Sequence, residues 1–434
     1  MLPKLYASYL VYLKPLASHL SIPTLVFTAL YSICVKAPNH NRSLCGTAQV
    51  MFTFYTLVAA LDTTYNARLP ESFTNWMDAF KIVDLDFSGV LLPQACIQFF
   101  GLASGFLGNL IINCVSPFVL VMLCFFFFVG KRLAKSCSSP CKVIAEGLLD
   151  SLPLGLLVSF CFVASTSAKV FQASSCVAYK YDVDTYHSFL RVDLSVRCSD
   201  ADHTSEEHKT IMAFAWVFVG IWPIGVVLLY AALLLLCRNA ILRRTPTRLT
   251  RAMRFLTRDY TTECYYFEIL ELVRRTALVG WVLLVPVEQS FLRLVIALLI
   301  SIVFLLVLLS LRPYLRVEDN LLAGAAQASC VFIFIGAILT RLFVEFSDVT
   351  QDGVVTDIMA FDSIDTIAAS LVLVTFAVLI FSFSTMLLLL QKEGHIPTIR
   401  TVQTHTAPEL SLPEGGKWHC FLSHVWSSAQ VRHH

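Results

Sequence analysis

Ile211-Met-Ala-Phe-Ala-Trp-Val-Phe-Val-Gly-Ile-Trp-Pro-Ile-Gly-Val-Val-Leu-Leu-Tyr-Ala-Ala-Leu-Leu-Leu-Leu-Cys237 decides the fold, because the whole stretch carries no charge. A membrane helix needs about 20 mostly apolar residues to cross roughly 30 Å of hydrocarbon at 1.5 Å per residue. Unpaired backbone amides are too costly in lipid, so such a run must be helical. Residues 294–311, 321–340 and 366–390 repeat the pattern without a charge, and 107–129 and 151–168 are further runs of this kind. Composition agrees: the 434 residues are 57% hydrophobic and 14% charged, with mean hydropathy +0.71. An ordinary globular chain is about 25% charged. These values exclude a disordered or fibrous chain and almost any soluble enzyme.

The expected fold is all-α, a polytopic bundle with spans near 16–35, 43–61, 107–129, 148–168, 211–237, 268–287, 291–311, 321–343 and 366–390. That makes nine, or eight if the first, which contains His19 and Pro23, is not a span. The span near 268–287 is the odd one. Its first turns carry Glu268, Glu271, Arg274 and Arg275. Glu271 and Arg275 are four apart and share a helix face. The sequence places these charges at the inner interface, with the arginines snorkelling.

Charge sets the orientation, since short basic loops stay cytosolic. Lys131, Arg132, Lys135 and Lys142 lie between the third and fourth spans; seven arginines from Arg238 to Arg258 follow the fifth. Both loops are expected inside. Glu345, Asp348, Asp352, Asp357, Asp362 and Asp365 put the last loop outside. The assignments alternate along the chain and leave the C-terminus cytosolic. The net charge of +2 implies no nucleic-acid partner.

Most of the 14 cysteines fall in or beside spans, where Cys is a small apolar residue. Cys176 and Cys198 lie in the long outer segment 169–210, where disulfides are allowed. Their pairing is the expectation; two free thiols are the alternative, and Cys96 is a competitor. Cys137 and Cys141 in the basic loop lack the remaining ligands of a closed zinc site, and read more simply as free or palmitoylated thiols.

Phe73, Trp76, Met77 and Phe80 have the spacing of an amphipathic helix. Leu249, Ala252, Met253, Leu256 and Tyr260 repeat it on the inner side, with Arg248, Arg251, Arg254 and Arg258 largely off the stripe. Such a basic helix fits an anionic leaflet; the simpler reading is a loop whose charge only fixes topology. Asp352, Asp357 and Asp362 are candidates for an outer cation vestibule; the simpler reading is a solvated loop. The strong spans hold no mid-span charge, which disfavours a proton-coupled pump. Pro117, Pro153, Pro223 and Pro286 are candidate kinks. No phosphate loop, dinucleotide fingerprint, zinc-protease motif or nucleophile elbow is present, so no enzyme chemistry and no cofactor are expected. The one glycosylation sequon, Asn41-Arg42-Ser43, is expected on the inner side and silent.

Several strings together carry a resemblance. They are Phe189-Leu-Arg-Val-Asp-Leu-Ser-Val-Arg-Cys198, Ile221-Trp-Pro-Ile-Gly225, Tyr265-Tyr-Phe-Glu-Ile-Leu-Glu-Leu-Val-Arg-Arg275, and Leu311-Arg-Pro-Tyr314 with Asp319-Asn320. From about Ser43 to Leu390 the chain resembles the multi-span C-terminal region of large surface proteins of algae, oomycetes and other protists. That region is similar to the transient receptor potential (TRP) and polycystin group. No cysteine-rich ectodomain precedes the spans. After a polar linker, 394–416, Lys417-Trp-His-Cys-Phe-Leu-Ser-His-Val-Trp426 resembles the first strand of a Toll/interleukin-1 receptor (TIR) domain. With only 417–434 available, a TIR sheet cannot be completed, and a chain cut short at both ends is the expectation.

The resemblance implies a TRP-like channel or a receptor-type signalling protein of the plasma membrane, linked to a TIR module. Expected partners are membrane lipids, cytosolic TIR partners if a full domain exists, and further copies of the chain. The alternatives are a transporter or lipid-handling protein, or a structural membrane anchor without transport activity.

Overall fold

A computed structural model describes residues 42–65, 71–78, 105–133, 140–180, 186–199, 205–245, 247–349 and 364–395. The expected span at 16–35, the acidic residues Asp352, Asp357 and Asp362, and the 417–434 segment lie outside the described residues. So does all of the linker beyond residue 395.

The described chain is mostly helical. Six helices are long and apolar enough to cross a membrane: Phe106–Leu133, Lys142–Gln172, Glu206–Leu242, Val287–Leu311, Val317–Phe346 and Asp365–Leu388. They coincide with six of the expected spans. Many of their large apolar side chains face outward, among them Leu123, Phe126 and Phe127, then Leu235 and Leu236, then Val303, Leu306, Leu373 and Phe383. Soluble monomers do not leave such belts uncovered.

The elements in chain order begin with α1 (Arg42–Ala59), α2 (Leu61–Tyr65) and α3 (Glu71–Asp78). Next come α4 (Phe106–Leu133) and α5 (Pro140–Gln172). A three-stranded antiparallel sheet follows, β1 (Cys176–Lys180), β2 (Tyr186–Leu190) and β3 (Asp193–Arg197), in the order β1-β2-β3. The purely all-α expectation missed it: it occupies the segment between α5 and the next long helix, where short runs of Val, Tyr, Phe and Leu pair. Cys176 lies opposite Leu190, and a bulge between Phe189 and Leu190 turns the edge.

Helix α6 (Glu206–Val219) is capped by Ser205, whose side chain accepts the His208 N–H. It runs through a π-helical stretch, Gly220–Gly225, into α7 (Val226–Leu242). Pro223 within that stretch has no N–H to give, so the ladder must widen or break there. Then come two short pieces, α8 (Arg248–Ala252) and α9 (Arg254–Thr257), and the helix α10 (Phe267–Val279). Two 3₁₀ turns, Trp281–Leu284 and Val287–Gln289, lead to α11 (Ser290–Leu311), α12 (Val317–Val349) and α13 (Ile364–His395).

Packing sorts the helices into two groups. In the first, α4, α5, α6 and α7 share a core that includes Leu110, Leu156, Phe160, Trp222 and Tyr230. In the second, α1, α11, α12 and α13 share a core that includes Phe54, Leu294, Leu322, Ile333 and Leu371. Helix α10 lies between them. Its Leu272 belongs to the first core, and its Phe267, Leu278 and Val279 belong to the second.

The bundle has two distinct ends. At the basic end, Arg132 of α4 binds Glu146 and Asp150 of α5, the latter at 2.6 Å, and Arg248 reaches Glu146 at 3.1 Å. At the other end sits the sheet. The α10–α11 hairpin leaves the basic end and returns to it. Tyr260 and Tyr314 form a bridge there, the Thr261 N–H donates to the Pro313 carbonyl at 2.8 Å, and the Leu315 N–H donates to the Asp259 carbonyl at 3.0 Å.

Candidate functional site

The 268–287 segment departs from its expected form. Instead of one long helix it is α10, of 13 residues, followed by a 3₁₀ turn. At about 1.5 Å and 2.0 Å per residue, these together extend roughly 28 Å. The arginines do not snorkel: both Arg274 and Arg275 are buried, and Arg275 is only 1% exposed. The arginine that pairs with Glu271 also differs from expectation. Glu271 binds Arg274, three residues on, including a 3.3 Å contact from Nε.

Arg275 turns toward the first group. Its Nη2 donates to the Phe160 carbonyl at 2.7 Å, and its guanidinium lies 4.4 Å from the Phe160 ring centroid. Arg274 turns toward the second group and lies 4.6 Å from the centroid of Phe304. Adjacent arginines therefore anchor α10 to opposite neighbours, which follows from the roughly 100° between successive helical side chains. Glu268, 2% exposed, accepts a hydrogen bond from the Tyr260 hydroxyl at 2.8 Å. Tyr260, Tyr314 and Phe267 stack around it, with Tyr260 and Tyr314 centroids 5.1 Å apart.

The donors exceed the acceptors here. Among the described residues, Nη1 of Arg274, Nε and Nη1 of Arg275 and Nε2 of Gln49 are buried without a hydrogen-bond partner. A cavity of about 30 Å³ adjoins Gln49 and Arg274, and Glu268, Glu271 and Gln327 also line it. It has room for about one water-sized acceptor. Buried guanidinium groups are expensive unless fully bonded, so this is a costly arrangement to keep inside an apolar bundle.

The sheet end holds a second buried arginine outside this cluster. Arg293, 0% exposed, donates from Nε to the Val285 carbonyl at 2.7 Å, and to the carbonyls of Thr64 and Leu283 at 3.1 Å each. It satisfies backbone acceptors that the 3₁₀ turns leave unpaired. The Tyr65 hydroxyl does the same for the Leu278 carbonyl at 2.6 Å.

The Sγ atoms of Cys176 and Cys198 lie at bonding distance with Cα atoms 6.4 Å apart, within the ordinary range for a disulfide. They tie the start of β1 to the end of β3. Cys96 lies outside the described residues. Asp193 binds the sheet to the bundle, for its carboxylate accepts the Phe106 N–H at the start of α4 at 3.0 Å and the Ser195 hydroxyl at 2.6 Å. Burial pushes the Asp193 carboxyl up, but these donors outweigh it and hold it below the ordinary value.

Arg248, Arg251, Arg254 and Arg258 have separate surroundings. The expected single helix is broken at Met253 into α8 and α9, and Met253 and Leu256 are buried against the bundle core. Arg248 pairs with Glu146, and Arg251 is exposed. Arg254 and Arg258 line a cavity at the basic end, where Arg258 binds Asp259 at 3.2 Å. Of the outer amphipathic helix, Phe73 is buried and Trp76 donates to the Thr375 hydroxyl at 3.0 Å, which packs α3 on α13.

Sequence reasoning missed Tyr260, Tyr314, Gln49 and Arg293 as parts of buried polar clusters. Glu268 also escapes a reading based on charge-free strong spans, because it sits at the start of a short, charged one. Its signal was present: four ionisable residues in a segment that otherwise reads as membrane helix.

No protein-family model, no curated protein and no solved structure matches this chain.

Proposed function

We propose that this chain is a multi-pass membrane protein of the channel or receptor kind, in which α10 couples the basic cytosolic segment to the two helix groups. The observation that carries this reading is the burial of Glu268, Arg274 and Arg275 between the groups. Stability alone does not favour such a cluster, since buried ion pairs are commonly no better than apolar packing. Ionisable groups inside membrane bundles are by default functional. In this reading α1 and α10 also cross the bilayer. With the segment at 16–35 that makes nine spans, or eight without it. The basic end and the C-terminus then face the cytosol, and the protein resides in the plasma membrane. The outer sheet senses, and a TIR-like module on the cytosolic side signals. Several copies assemble where a conduction path is needed.

The test is whole-cell recording of the expressed chain, with liposome flux on the purified protein. The reading predicts a current or agonist response that Glu268→Gln and Arg275→Gln change and that Glu288→Gln, at the sheet-end turn, leaves alone. If the triple variant Asp352→Asn, Asp357→Asn, Asp362→Asn lowers cation current, the acidic loop is a vestibule. A correctly inserted protein whose responses ignore both α10 substitutions contradicts the coupling role.

A transporter is the second reading, supported by the two interrupted helices, at Gly220–Gly225 and at Gly280. Interrupted helices are where transporters place substrate. Solute counterflow without net current distinguishes it.

A further inference from the structure

The basic end holds a cavity of about 380 Å³ that the coupling role does not use. Arg254 and Arg258 reach it from the inner segment, and Arg316 reaches it from the turn after α11. We propose that this cavity binds the phosphate of an anionic membrane lipid, with Arg254 and Arg316 as its principal ligands and the Thr257 hydroxyl beside them. The proposal rests on the membrane reading of the bundle but on neither conduction nor signalling.

Three observations support it. The first is charge. Three guanidinium groups line the cavity against two carboxylates, Asp259 and Asp319, which leaves a surplus of one positive charge. Arg258 binds Asp259 through Nε at 3.2 Å and Nη2 at 3.4 Å, and the Thr47 hydroxyl donates to Asp319 at 3.0 Å. The second is geometry. Arg312 ends α11 in the left-handed region, φ 44°, and Asn320 pins the turn by bonding both the N–H and the carbonyl of Tyr314, at 3.1 and 2.7 Å. The position of Arg316 is therefore built rather than incidental. The third is the company of the cavity. Leu315, which lines it, is 65% exposed, and Val317 beside it is 79% exposed. Apolar side chains at the mouth of a cationic cavity, at the headgroup level of a bundle, suit a lipid better than a free anion.

The experiment uses the full chain in nanodiscs of phosphatidylcholine, with and without phosphatidic acid, and reads retained lipid by native mass spectrometry. The wild type is expected to retain phosphatidic acid over phosphatidylcholine. Arg254→Gln with Arg316→Gln is expected to weaken retention about tenfold, and Arg243→Gln with Arg312→Gln, an equal charge loss at the same end, under about twofold. Thr257→Glu, which puts a negative charge in the cavity and keeps every arginine, guards against a misfolded double variant and should also abolish retention. Equal losses from the Arg243→Gln, Arg312→Gln pair would mean a diffuse surface effect and would overturn the site. Displacement of the lipid by millimolar inorganic phosphate would overturn the lipid assignment. Because the readout is bound lipid, it is independent of whether the protein conducts.

Discussion

Glu268 is an acid held in an apolar bundle by the Tyr260 hydroxyl, with the Arg275 guanidinium nearby. Removing the hydroxyl by Tyr260→Phe leaves one bond fewer on a buried acid. A loss of about 1–3 kcal/mol is expected, read as a lower thermal midpoint in detergent. Arg275→Ala should cost more, about 3–5 kcal/mol, because it strands the acid and the Phe160 carbonyl together. An Arg275→Ala protein as stable as wild type would remove this residue from the account. Gly105 gives a third residue-scale prediction. It has φ +75°, and a Cβ there would lie 2.6 Å from the Asp193 carboxylate. Gly105→Ala should therefore loosen the junction between sheet and α4 by about 1–3 kcal/mol, seen as faster proteolysis of the outer segment. At this scale the sequence was partly legible. Charge and spacing marked α10, but partner choice was not readable. Glu271 takes Arg274 rather than Arg275 because Arg275 is drawn to Phe160, more than a hundred residues away in sequence.

The outer sheet and α10 are the elements that sequence periodicity handled least well. Strands of five residues in a segment between two membrane helices give a weak signal, and the cysteines marked the segment better than its pattern did. The Cys176–Cys198 link closes a loop with a sequence separation of 22. Cys176→Ser should destabilise the outer segment by about 3 kcal/mol on chain-entropy grounds, while hydrogen exchange in α12 stays unchanged. The Asp193 contact adds a pH dependence. Its carboxyl titrates below the ordinary value in the folded protein. Its stabilisation is therefore full above the ordinary value and is lost as pH falls through the lower folded one. Exchange at the Phe106 amide should rise as pH falls below the ordinary carboxylate value, and Asp193→Asn should flatten that rise. A profile identical in both proteins would mean that another group holds the junction. The long helices were fully legible, since a run of apolar residues in lipid has one permitted structure.

On the scale of the molecule, two apolar helix groups meet along α10, whose buried residues, like those of α1, are shared between both cores and whose two buried arginines turn toward opposite groups. Composition gave the membrane class, and charge-free runs gave six long helices. The seam between the groups was not visible, because which helices pack together depends on contacts distant in the chain. The account stands or falls on whether α10 crosses the bilayer. Membrane-impermeant thiol labelling in intact cells tests this most directly, with single cysteines introduced as Glu288→Cys at the sheet-end turn and Val317→Cys at the basic end, each read against the unsubstituted chain. The account predicts that Glu288→Cys labels from outside, like Leu194→Cys in the sheet, and that Val317→Cys labels only after permeabilisation. Labelling of Glu288→Cys only after permeabilisation, while Leu194→Cys labels from outside, would contradict it.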